Sequence, residues 1–115
     1  MIELTYSVDY QNRGKVECLV TGINCSTEGM VEAYLSVESE VYHILCGSLF
    51  GKNYLCIPNK KWCFEFADYD DAMWNYDSIY QATKNDLEAI ILSIMLRGIP
   101  MLRLYYDAWH DRLDT

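Results

Sequence analysis

Carboxylates and aromatic rings alternate between Glu65 and Glu88, and this mixture is the main chemistry the sequence offers. The window holds seven acids (Glu65, Asp68, Asp70, Asp71, Asp77, Asp86, Glu88) and a single base, Lys84, so it carries six of the chain's eight net negative charges. Phe64, Phe66, Tyr69, Trp74, Tyr76 and Tyr80 lie among or beside the acids. Disordered acidic runs are poor in such residues, because disorder requires low hydrophobicity. These acids are therefore mounted on a segment that folds. An ordered face of one sign is a surface for positive charge. Aromatics there would supply the anchoring contacts, while carboxylates pair with Arg and Lys of a partner. On this reading the partner-binding residues are Glu65, Asp68, Asp70, Asp71, Trp74, Tyr76 and Asp77. The competing reading is a solvated face with Trp74 and Tyr76 tucked toward the core. Calcium is disfavoured, because no D-x-D-x-D-G-x5-E loop occurs.

A second set of residues could hold a metal. Five cysteines (Cys18, Cys25, Cys46, Cys56, Cys63) are an odd number, and in a reducing compartment they are expected to be thiols. Cys56 and Cys63 flank a Pro58-Asn59 turn, which would bring their sulfurs together at the base of a hairpin. With His43 and Cys46 on a neighbouring strand, they form a conceivable tetrahedral zinc set. Two facts weigh against it. No C-x2-4-C knuckle is present, and a spacing of three puts His43 and Cys46 on opposite strand faces unless a bulge intervenes. The alternative is that these cysteines fill core positions as small hydrophobes.

Catalytic residues are not expected. The chain has no glycine-rich phosphate loop, no G-x-S-x-G elbow and no H-E-x-x-H helix. A thiol enzyme built on a Cys–His pair is the remaining catalytic alternative, although nothing local marks one thiol as activated. A chain this acidic repels nucleic acid and anionic membrane, and backbone recognition needs clustered Lys and Arg. The longest apolar stretch, Ala89–Leu96, is too short to span a bilayer. No basic segment followed by an apolar one opens the chain. The sequence thus predicts a soluble cytoplasmic protein.

Elements that position these residues follow from periodicity. At 115 residues the chain predicts one domain over 1–115. Strands are expected at Ile2–Val8, Lys15–Ile23, Val31–Glu38, Val41–Cys46, Tyr54–Ile57 and Trp62–Phe66. The third alternates cleanly, with Val31, Ala33, Leu35 and Val37 facing one way. That is the pattern of a sheet with one wet face. The period then switches. Helices are expected at Ala72–Ala82, at Asp86–Arg97 capped by Thr83 or Asn85, and at Met101–Arg112. Leu87, Ile90, Ile91, Ile94 and Met95 should make the second helix the central core helix. Leu104, Tyr105, Ala108 and Trp109 give the third an apolar side. Strands followed by helices predict an α+β fold, in which an antiparallel sheet from the N-terminal two-thirds packs against two to three C-terminal helices.

Tyr42-His43-Ile44-Leu45-Cys46-Gly47, Leu55-Cys56-Ile57-Pro58-Asn59, Cys63-Phe64-Glu65 and Met73-Trp74-Asn75 resemble a small uncharacterised domain family of Gram-positive bacteria and their mobile elements. In size and acidity the chain is also similar to anti-CRISPR proteins, small phage-encoded inhibitors of CRISPR effectors. That likeness implies a partner of a definite kind. A Cas9-type nuclease holds its heteroduplex in a basic channel, which an acidic inhibitor would occupy in the host bacterial cytoplasm.

Overall fold

The computed structural model describes residues 3–26, 28–49, 51–66 and 72–113, without the side chains of 49, 72–74 and 111–113. Asp68, Asp70 and Asp71 therefore lie outside the described residues, as does the side chain of Trp74. The described chain is an α+β fold, six strands followed by three helices. Strands β1 (Leu4–Tyr10), β2 (Gly14–Cys25), β3 (Val31–Val37), β4 (Glu40–Leu49), β5 (Lys52–Ile57) and β6 (Trp62–Phe66) form an antiparallel meander in chain order. No helix among the described residues is long and apolar enough to cross a membrane.

Alternation decides which face is covered. Val16, Cys18 and Val20 of β2, Val31, Ala33, Leu35 and Val37 of β3, and Ile44 of β4 all point to one buried face. Helices α1 (Ala72–Thr83), α2 (Asp86–Arg97) and α3 (Ile99–Leu113) lie on that side. Helix α2 is the central core helix, as its composition predicts, but its buried arc is rotated. Ala89, Ile91, Leu92, Met95 and Leu96 are buried, while Leu87, Ile90 and Ile94 are half-buried. Asn85 caps it, its side chain accepting from the Glu88 amide at 3.0 Å. Tyr6 fastens β1 to this helix by donating to the Ile91 carbonyl at 2.9 Å.

Three departures from the sequence reading have physical causes. Strand β2 runs on to Cys25 through a register shift between Thr21 and Asn24, where Gly22 takes a φ of 63°. A side chain at Gly22 would also strike the Tyr34 ring, 2.9 Å from the position of its Cβ. Strand β4 continues past Cys46 in a hairpin with β5, and Gly47 there leaves room for Met30, whose sulfur would lie 2.2 Å from a Cβ at that position. The third departure concerns α3. It buries Ile99 and Leu102, and Tyr106 donates to Asn24 at 3.2 Å. The expected apolar side faces outward instead, with Leu104 60%, Tyr105 45% and Trp109 36% exposed.

Asn59 explains the Pro58-Asn59 turn. Beyond Leu45 the β4–β5 ladder ends, and the chain turns through a 3-10 segment at Pro58–Lys60. The Asn59 side chain replaces the missing strand, accepting from the His43 amide at 2.9 Å and donating to the Val41 carbonyl at 2.7 Å. Asn59→Ala leaves both backbone groups without this partner, though near solvent. It should lower stability by about 1–2 kcal/mol in denaturant unfolding. Asn59→Asp, which keeps the acceptor but loses the donor, should fall between it and the parent.

Candidate functional site

Within the acidic window, the described structure builds a site around Asp86. This residue opens α2, where the exposed amide end of a helix favours a carboxylate. Tyr10, the last residue of β1, donates its hydroxyl to Asp86 Oδ2 at 3.0 Å. Tyr76, on α1, donates to Asp86 Oδ1. Tyr80 lies one turn further along α1 and stacks on Tyr76, with ring centroids 5.9 Å apart. Asp9, Tyr10, Gln11, Asn12, Asp86 and Ile90 line a hollow of about 260 Å³ beside this group. Asp77, also on α1, is exposed.

The electrostatics follow from the two hydrogen bonds. Donation to Asp86 pushes the Tyr76 phenol up to about 12, and the same interaction raises Tyr10. Phenols are protonated at physiological pH in any case, so both act as donors that hold one exposed carboxylate. Each carboxylate oxygen retains acceptor capacity after one such bond. A fixed carboxylate flanked by aromatic faces suits a guanidinium or ammonium group, which it meets by charge-assisted hydrogen bonds and cation–π contact.

The structure brings together some of the expected partner-binding residues and separates others. Tyr76 is at the centre of the site, and Asp77 is on the same helix. Glu65 is not part of it. Phe66 is buried and Phe64 half-buried on the core side, so Glu65 points to the face turned away from the helices, 3.3 Å from Lys52. Tyr10 and Asp86 were not singled out by the sequence. Asp86 looks like an ordinary helix-start acid, and only the fold brings Tyr10 to it.

The proposed metal set is corrected. Cys46 is fully buried on the core face. His43 is on the other face, with Nε2 2.8 Å from Glu32 and its ring stacked on Tyr34 at 4.7 Å. Cys56 and Cys63 stand directly opposite each other in the β5–β6 ladder and are joined as a disulfide, not held as thiols. Strand alternation thus keeps Cys46 away from the other three residues. Among the described residues no group of three or more His, Cys, Asp or Glu side chains is placed to hold a metal ion. Cys18, Cys25 and Cys46 are buried, and burial pushes all three thiols up. An activated nucleophile needs the opposite shift.

Residues 4–100 match the family of unknown function DUF6618, and the chain belongs to that family. No curated protein and no solved structure matches the chain. The match covers all six strands and the first two helices but only the start of α3.

The Asp86 arrangement has a spectroscopic consequence. Asp86→Asn removes the charged acceptor, so the Tyr76 phenol should titrate back toward the ordinary value of ~10. Ring-carbon NMR of Tyr76 across the alkaline range would read this directly. The sign for stability also follows. A phenol raised in the folded state contributes stability that is complete below its unfolded pKa and is lost as pH climbs through the folded one. The parent should therefore lose more stability than Asp86→Asn between ~pH 10 and about 12.

Proposed function

We propose that this protein is a non-enzymatic acidic inhibitor that docks on a basic, nucleic-acid-binding surface of a protein partner. Its most concrete target is a Cas9-type nuclease in the bacterial host cytoplasm, where it would act as an anti-CRISPR protein and keep DNA from loading. The observation that carries this reading is the Asp86 carboxylate, fixed by Tyr10 and Tyr76 on the most acidic part of the chain. Side chains that grip phosphate are Arg and Lys, and a rigid carboxylate offers them a substitute for phosphate. Tyrosine supplies contact area at low entropic cost, so an Asp–Tyr surface suits binding better than a merely solvated face would. The protein itself takes no nucleic acid on this reading. Its net charge of −8 opposes that.

Charge reversal within the acidic window tests the proposal. Asp77→Lys combined with Asp70→Lys and Asp71→Lys changes the net charge of the acidic window without touching Asp86. The parent should block DNA binding by a guide-loaded Cas9-type nuclease, and the block should weaken as salt rises, because exposed pairs are screened within a Debye length of ~8–10 Å. The triple variant should inhibit at least about tenfold less well, whereas undiminished inhibition would refute the docking role of the acidic window. Asp86→Asn gives a milder loss on the same account, since its amide retains hydrogen bonding but not charge.

A further inference from the structure

The Cys56–Cys63 bond joins two residues that the sheet already holds together, in a place that solvent reaches. They stand directly opposite each other in the β5–β6 ladder, seven residues apart in sequence. Closing so short a loop gains the least from a cross-link. The position also sets this pair apart from the other cysteines. Cys18, Cys25 and Cys46 are buried in the core. Alternation with Leu55, Ile57 and Phe66 instead turns Cys56 and Cys63 to the face away from the helices. There Cys63 is exposed and Cys56 half-buried. A disulfide so placed is open to thiols in solution.

We infer that Cys56–Cys63 is a thiol–disulfide exchange site for a low-molecular-weight monothiol, with Cys63 as the sulfur attacked. Strand register carries the choice of sulfur. A thiolate approaches a disulfide along the S–S axis, from behind the sulfur it attacks. Because the two residues are directly opposite, that axis runs across the strands. Behind Cys56, on the same face, stands its β4 ladder partner Leu45, itself half-buried. Behind Cys63 no strand follows, since β6 is an edge of the sheet among the described residues. The incoming thiolate therefore bonds to Cys63 Sγ. The S–S bond breaks, and its electron pair leaves on Cys56 Sγ, which takes a proton from solvent. A second monothiol attacks the added sulfur, forms the small disulfide and releases Cys63 as a thiol. The protein gains two electrons and two protons, and two monothiols are oxidised to one disulfide. Until that second attack, Cys56 faces the mixed disulfide and runs the first step backward at high effective concentration.

Glutathione is the probe, used on the full folded protein. After equilibration with oxidised glutathione and its removal, the denatured protein should show three thiols, and five after full reduction. A brief pulse of reduced glutathione on the oxidised native protein, quenched with acid and mapped by peptide mass, should place the adduct on Cys63 over Cys56 by at least about tenfold. The rate should stay flat in denaturant below the unfolding transition, because the native sulfur is already exposed. With oxidised glutathione, Cys56→Ser should be modified at least about tenfold faster than Cys63→Ser, which leaves the less accessible sulfur. Five thiols after the oxidising treatment, an adduct on Cys56, or a bond that yields only once the chain unfolds would overturn the inference.

Discussion

A meander of six strands has one apolar face that must be covered, and in this protein α2 is the element that covers its centre. Ala89, Leu92 and Leu96 have no exposed surface, and Ile91 and Met95 have almost none. This single burial requirement fixes where the rest of the molecule can be. Once α2 is seated, its N-terminus must emerge beside the β1–β2 and β3–β4 turns, where Asn85, Leu87 and Glu88 share a depression with Arg13, Glu38 and Tyr42. Asp86 is therefore delivered to Tyr10. Helix α1, packed against α2, delivers Tyr76 and Tyr80 to the same place. The candidate site is a consequence of core packing, and it needs no dedicated loop.

Charge is divided accordingly. Acids of the sheet and its turns, such as Glu65 on β6 and Glu38 in the β3–β4 turn, find basic partners in Lys52 and Arg13. Exposed pairs of this kind contribute little to stability. Their effect is to quench the potential of those parts of the surface. At Asp86 the partners are neutral phenols, which orient the charge without cancelling it. The Asp86 charge is thereby left uncancelled beside an aromatic wall, which is a combination that interfaces use.

Much of this was legible in the sequence, and the parts that were not share a cause. The alternation of Val31, Ala33, Leu35 and Val37 predicts β3 and its buried face, and β6 runs as expected from Trp62 to Phe66. Helix α2 has the predicted bounds because Asn85 and Gly98 punctuate it. What periodicity could not supply is which of two apolar arcs on a helix is used, since that depends on the neighbours. Hence α3 buries Ile99 and Leu102 and turns Leu104 outward. The same holds for β4, which runs beyond Cys46 because it pairs there with β5. Proximity of Cys56 and Cys63 was readable from the hairpin, whereas their bond was not, because an odd cysteine count argued for thiols. Composition pointed to Tyr76, which the fold sets beside Asp86, while the tyrosine at the end of β1 comes to Asp86 only through the fold.

The central claim is that the Asp86 face makes the contact with a basic partner surface. Hydrogen–deuterium exchange of the protein, free and bound to a guide-loaded Cas9-type nuclease, tests it most directly. Binding there predicts slowed exchange in the β1–β2 turn around Tyr10, along α1 around Tyr76 and Tyr80, and in the first turn of α2. Protection confined to the outer sheet face around His43 and Cys63, or no change in exchange at all, would contradict the account.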